Sequence, residues 1–344
     1  MVSRLFSSGK IGTCELKNRV VMPPMCMYKS DNSATLKEFH HIHYTSRAIA
    51  NIGLIIVEAT AVEPKGRISN NDLGLWDDSQ IIEHKKLVDS CHDFDSKMAI
   101  QLAHAGRKSL ATDSTPVAPS SITFDINEPF KMPKELSLEE IEEIKLKFLT
   151  SAKRAKEAGY DILELHGAHG YLLCEFLSPL TNQRSDIYGG SLENRCRLTL
   201  EIAKLIKENI DLPLIVRISA TEWKSKGWDL NDSVYLSKEL EKIGVDAIHV
   251  SAGGNQKEPD LMPKLTPLYQ CDYAKKIKKN ISIDIIAVGL ITTVKQGEIL
   301  LEEGVCDFVA YGRELLRNPN LLFSAAKESN KMELIDNSYV RAYI

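Results

Sequence analysis

The densest group of reactive side chains is His166-Gly-Ala-His169-Gly-Tyr171, two imidazoles and a phenol within six residues. Histidines spaced i and i+3 project to one side of a turn or helix start, where both can donate to a single carbonyl oxygen. Tyr171 places a phenol beside them, and such donors stabilise negative charge that develops on oxygen. A zinc pair is the competing chemistry. No His-Glu-x-x-His pattern and no third ligand at a fixed spacing accompanies these residues, so no metal is expected. The other cluster, His40-His41-x-His43, continues through Tyr44 to Ala50 with helical character and reads as a helix-start group.

A second set of residues suits a phosphate and an aromatic ring with a polar edge. Glycines occur in Ser251-Ala-Gly-Gly254, at Gly289 and in Gly312-Arg313. Glycine lets backbone N–H groups approach an anion closely, and Arg313 adds a fork-shaped cation. Gln101 offers an amide that both donates and accepts. Arg217 offers a permanent cation, which at the N1 edge of a flavin would stabilise the reduced, anionic ring. The alternative for both is a buried polar network. Cys26 reads either as a weak S–H donor at a cofactor edge or as an inert buried thiol, and His249 as a satisfied histidine inside a barrel.

The elements that must position these residues recur in a regular order. Eight short apolar runs appear at 19–22, 54–57, 98–101, 161–165, 214–218, 247–250, 283–288 and 308–310, with charged amphipathic stretches such as 137–158 and 191–209 between most of them. Strand followed by helix, repeated, implies a parallel sheet, and runs without polar alternation imply that both faces are covered. The expected fold is a single α/β domain, a (β/α)8 TIM barrel. Catalytic groups in such barrels sit at the C-terminal ends of strands, where most of the residues above fall. Ser137-Leu-Glu-Glu140 has capping-box spacing, Asn231-Asp-Ser233 reads as another helix start, and Ser191 to Arg195 as a structural one. A short cover at 12–16 precedes the barrel, and the proline-bearing stretch from Thr112 to Lys134 is too long for a simple connection. It reads as an excursion over the barrel mouth.

Composition narrows the partners. The 344 residues are 43% hydrophobic and 26% charged, with 43 Lys plus Arg against 47 Asp plus Glu, a net charge of -4. No whole-chain basic field recruits nucleic acid or an anionic membrane, and the longest uncharged apolar stretch is too short to span a bilayer. Small-molecule partners are the expectation. Arg4 and Lys10 flank no apolar segment of signal-peptide type, so a cytoplasmic location is expected. Seven cysteines, never closer than ten residues, fit neither a disulfide framework nor a clustered metal site.

Taken in order, Leu16-Lys-Asn-Arg-Val20 with the Pro23 to Tyr28 segment, Gln101 to Arg107, His166 to Tyr171, Phe176-Leu-Ser-Pro179, Tyr188 to Arg195 and Gly312-Arg313 resemble the Old Yellow Enzyme family. Cys26 and Tyr28 resemble its Cys-containing bacterial subgroup, similar to Bacillus NADPH dehydrogenase. The resemblance implies non-covalent FMN with NADPH or NADH as co-substrate. It matches Pro23, Pro24, Met25, Cys26, Ala59, Gln101, Arg217, Gly312 and Arg313 to flavin-contacting positions, and Gly289 joins them by its place at a strand end. His166 and His169 match a pair that binds the substrate carbonyl, Tyr171 the proton donor and Tyr28 a substrate-side phenol. Pro23 stands where Ser is frequent, which removes one hydrogen-bonding hydroxyl and one N–H.

The implied reaction is reduction of the C=C bond of α,β-unsaturated ketones and aldehydes, with hydride from FMN N5 and a proton from Tyr171. The C-terminal Tyr339-Val-Arg-Ala-Tyr-Ile344 is unusually aromatic and apolar for a tail. It resembles a segment whose Arg, here Arg341, reaches a neighbouring subunit's active site, implying a homodimer or homotetramer. The alternative is docking of 338–344 on its own barrel. Two other functions stand beside the enzyme reading. A phosphosugar-type barrel enzyme shares the phosphate argument but would want a Schiff-base lysine within or directly after a strand. A non-catalytic flavin-binding protein has no use for His166, His169 and Tyr171 together.

Overall fold

Near the N-terminus, Gly9–Ile11 and Cys14–Leu16 pair as an antiparallel hairpin. Its Ile11 and Leu16 are buried against Val21, Leu54, Ile56, Ala99, Ile162, Ile215 and Phe308, so the hairpin plugs one end of a sheet closed on itself. The cover is therefore longer than 12–16, because both strands are needed to satisfy the backbone where it meets apolar side chains. The computed structural model describes residues 4–111, 115–127 and 129–344.

The barrel strands are β1 (Val20–Met22), β2 (Leu54–Ala61), β3 (Lys97–Ala103), β4 (Ile162–Gly167), β5 (Leu214–Ser219), β6 (Ala247–Ser251), β7 (Asp284–Ala287) and β8 (Phe308–Ala310). All neighbours pair in parallel and β1 bonds to both β8 and β2, which closes the ring. Each of the eight expected runs is a strand. Helices α1 (Glu38–Ile49), α2 (Ile81–His92), α3 (Leu138–Glu157), α4 (Leu172–Leu177), α5 (Leu192–Asn209), α6 (Leu230–Ile243), α7 (Cys271–Lys278) and α8 (Val294–Glu302) follow them, with α9 (Arg313–Arg317) and α10 (Leu321–Glu328) after β8. Their apolar stripes pack on the outer face of the strands; Ile141, Ile144, Phe148 and Ala152 of α3 belong to that core.

Helix starts follow local chemistry. Ser137 Oγ accepts from the Glu140 N–H while the Glu140 carboxylate accepts from the Ser137 N–H, closing the expected capping box. Ser191 accepts from the Asn194 N–H. The expected start at Asn231 lies too late. Asp229 is the cap, its carboxylate accepting from the N–H groups of both Asn231 and Asp232, and α6 begins at Leu230. The histidine group lies within the opening turns of α1, as expected.

Of the excursion, 112–114 and 128 lie outside the described residues. In the rest, Val117–Ala118 pairs with Lys134–Glu135, and Thr123, Phe124 and Asp125 meet Arg107, Lys108 and Lys257 beyond the C-terminal ends of β3 and β6. The segment crosses the mouth. No helix among the described residues is long and apolar enough to cross a membrane.

Candidate active site

Alternate residues of each strand face the lumen, and their character changes along the barrel axis. At the plugged end they are apolar, with Ala99, Ile162, Ile215 and Ala247. Two residues on they become Gln101, Glu164, Arg217 and His249. Gln101 Nε2 donates to Glu164 Oε1 at 2.8 Å, and Glu164 Oε2 is 2.7 Å from His249 Nδ1. All three side chains are sealed from solvent. This layer ties the Gln101 amide nitrogen to Glu164 beneath the mouth. His249 is only half satisfied, since its Nε2 is buried without a partner. Arg217 contacts the Pro24 carbonyl through Nη1 at a long 3.4 Å, and its Nε is buried and unpaired.

The next lumen layer carries the histidines. His166 ends β4 and accepts the Ala168 N–H at Nδ1, so its proton sits on Nε2. His169 has φ of +61°, an unusual conformation for a side-chain-bearing residue. Its N–H donates to Ser219 Oγ, and its Nε2 is 2.8 Å from Ser251 Oγ. With the Ser251 hydroxyl donating, the His169 proton sits on Nδ1. Burial first, then the Arg217 charge, holds both imidazoles well below their ordinary pKa, so both are neutral N–H donors. Tyr171 caps α4 with its ring 4.9 Å from that of His166. Burial, then Cys26 and Tyr28, keeps its phenol well above the usual range and therefore protonated.

Beside His169 and Arg217 lies a cavity of about 290 Å³, also lined by Ser251, Gly289, Gly312 and Arg313. Gly289 has φ of +139°, a conformation that L side chains rarely adopt. A Cβ placed on Gly312 would lie 3.6 Å from Pro23 and 3.7 Å from Met25, so the segment after β1 walls this end of the cavity. Cys26 is half-buried and Tyr28 is 46% exposed. Burial, then Asp72 and Glu58, pushes the Cys26 thiol up to about 12, which leaves a neutral S–H. Ala59 lies where the β2–β3 ladder slips between Val57 and Thr60. The adjacent Glu58 accepts from the Met27 N–H and the Tyr44 hydroxyl, pinning the Cys26–Tyr28 segment.

Thus Gln101, Arg217, His166, His169, Tyr171, Gly289, Gly312 and Arg313 gather at one barrel end, with 23–28 alongside. Arg341 does not join them. Tyr339 and Tyr343 pack on Phe323 of α10, and Arg341 is exposed. A larger cleft, about 660 Å³, opens at the opposite end near Cys14 and Lys97, where barrels of this type carry no catalytic groups. The residues fit a flavin: a buried guanidinium whose Nε has no partner among the described residues, the Gln101 amide, and a glycine-lined cavity with Arg313 for a phosphate. Among the described residues no group of three or more His, Cys, Asp or Glu could hold a metal ion. Sequence reasoning missed Glu164, hidden in an apolar run, and Lys108, whose contacts are to backbone oxygens.

Residues 4–332 match the model of the NADH:flavin oxidoreductase / NADH oxidase family. An NADPH dehydrogenase of Bacillus velezensis is 47% identical over 331 residues, 96% of either chain. Morphinone reductase, solved in complex with tetrahydroNAD, superposes with a TM-score of 0.81 at 29% identity, over 95% of this chain and 91% of its own. The old yellow enzyme homologue from Zymomonas mobilis gives 0.81 at 26% identity, over 94% and 93%. The chain belongs to the NADH:flavin oxidoreductase / NADH oxidase family, that of the Old Yellow Enzymes, and is an oxidoreductase of the NADPH dehydrogenase type.

Proposed function

We propose that this enzyme uses non-covalent FMN and NADPH or NADH to reduce the C=C bond of α,β-unsaturated ketones and aldehydes. The observation that carries the reading is the neutral donor pair His166 and His169 with the protonated Tyr171 phenol beside it, in the barrel end that also holds Arg217. When bound, the flavin supplies the redox chemistry, taking two electrons from the nicotinamide and passing them to the alkene.

This chain's own residues do the rest. His166 Nε2–H and His169 Nδ1–H receive the substrate carbonyl oxygen and stabilise the enolate charge that grows on it. Tyr171 holds the proton for the α-carbon. Gln101 and Arg217 take the polar ring edge, Gly289, Gly312 and Arg313 the phosphate, and Pro23, Pro24, Met25, Cys26 and Ala59 the remaining ring contacts. Pro23 brings no N–H, so its contribution is packing. Tyr28, half-exposed, faces substrate.

The whole chain acts as one FMN-binding domain, and Arg341 supplies a substrate contact to a second copy in a homodimer, doubled to a tetramer. Its exposure on a tail docked by aromatic neighbours supports a role outside its own barrel. Seven free thiols support a reducing, cytoplasmic setting. The test is to identify the flavin released by acid and assay NADPH-dependent reduction of 2-cyclohexenone by product analysis. FMN and cyclohexanone are expected; a flavin-free protein, or FMN without product, would refute the reading.

A further inference from the structure

Lys108 is a partly buried ammonium with no assigned task. It follows Gly106-Arg107 in the turn after β3, and its Nζ donates to the carbonyl oxygens of His169 and Gly254, both at 3.0 Å. Both acceptors belong to residues with positive φ, +61° at His169 and +88° at Gly254. For His169 that backbone is strained and persists only where its surroundings hold it. Its N–H is held by Ser219 and its C=O by Lys108, so the peptide that aims the imidazole is clamped at both ends.

The ammonium also lies 5.0 Å from the centroid of the Tyr171 ring and 4.6 Å from that of Phe124 in the mouth excursion. Among the described residues it forms no ion pair. Glu175, the nearby buried carboxyl, turns one oxygen to the Arg107 N–H instead. Burial lowers Lys108 to about 8, which leaves it protonated at neutral pH. No ion pair within contact distance holds this charge, and it lies next to two imidazoles that it helps keep neutral.

We propose that Lys108 is a positioning residue for the His166–His169 oxygen site, fixing His169 through its backbone and giving the site a positive potential that selects ligands with an anionic oxygen over neutral ones. The inference rests on the function proposed above, in which that site receives the carbonyl oxygen. Phenolates and enolate-like oxygens are the class preferred; neutral ketones bind through the imidazoles alone.

The test compares the holoenzyme with Lys108→Gln, Lys108→Arg and Lys108→Met, measuring dissociation constants by equilibrium dialysis for p-nitrophenolate and for neutral cyclohexanone. Lys108→Gln keeps a donor for the two carbonyls and removes the charge. It should weaken p-nitrophenolate binding by about tenfold or more while changing cyclohexanone by less than about threefold. Lys108→Arg should restore the preference. Lys108→Met, which frees His169, should weaken both ligands. Parallel changes for the two ligands in Lys108→Gln, or none, would overturn the proposal. Failure of enone turnover in the unmodified enzyme would instead strike the proposed function, and the dialysis result would be read separately.

Discussion

The imidazole rings of His166 and His169 stand at 88° to each other with centroids 5.2 Å apart. Each has one nitrogen engaged by protein, Nδ1 of His166 by the Ala168 N–H and Nε2 of His169 by the Ser251 hydroxyl; His166 keeps its Nε2 proton for a ligand, and His169 keeps one on Nδ1 when Ser251 is the donor. Replacing both by Ala should slow reoxidation of the reduced enzyme by 2-cyclohexenone by about 10²-fold or more per donor. Reduction by NADPH, which needs no oxyanion donor, should change far less. Stopped-flow absorbance separates the two steps, and equal slowing of both would remove the pair from this role.

Tyr171→Phe removes a phenol whose high pKa keeps its proton available. Loss of a positioned acid costs about 10²–10⁴ in the step that uses it. The variant should therefore reoxidise slowly with the enone yet reduce normally with NADPH. A variant with both rates unchanged would show that the α-carbon takes its proton from elsewhere.

Stability should depend on pH through Glu63, which follows β2. Burial pushes its carboxyl up, but the His104 imidazole at 2.9 Å and the Lys147 ammonium at 2.8 Å outweigh that and bring it down to about 2, from 4.5. A depressed carboxylate pKa contributes stability that is full above the unfolded value and is lost as pH falls toward the folded one. Glu63→Gln should cost about 2–3 kcal/mol at pH 7. The difference from wild type should narrow below about pH 4.5. Urea denaturation at pH 7, 5 and 4 checks this, and a pH-independent difference would contradict it.

The barrel was legible because its strands are short apolar runs at regular spacing, and the His166 to Tyr171 group because its members are neighbours in the chain. What stayed hidden is relational. Glu164 sits between two leucines, and only the register that sets Gln101 against it shows that period-two alternation turns it into the lumen. Lys108 acts on a carbonyl 61 residues away, a contact no local pattern encodes. The α6 cap fell at Asp229 because a carboxylate satisfies two N–H groups there, which displaces the start expected at Asn231.

The tail gives a test of assembly. Deleting 338–344 should leave the flavin bound, since none of the residues proposed to hold it lies there, and should lower enone turnover. Mixing the truncated chain with a Tyr171→Phe chain should restore part of the activity if Arg341 serves a neighbouring copy. A monomer by light scattering, or no effect of Arg341→Ala on substrate affinity, would assign the tail to packing on α10 alone.

The central claim is that electrons from NAD(P)H reach an enone through flavin held at this barrel end. Its most direct measurement is anaerobic: reduce the purified protein with one equivalent of NADPH, mix with 2-cyclohexenone, and follow the flavin absorbance. Bleaching by NADPH should be followed by full return of the oxidised spectrum at a rate that rises with enone concentration. A spectrum without flavin, or a bleached flavin that the enone fails to reoxidise, would contradict it.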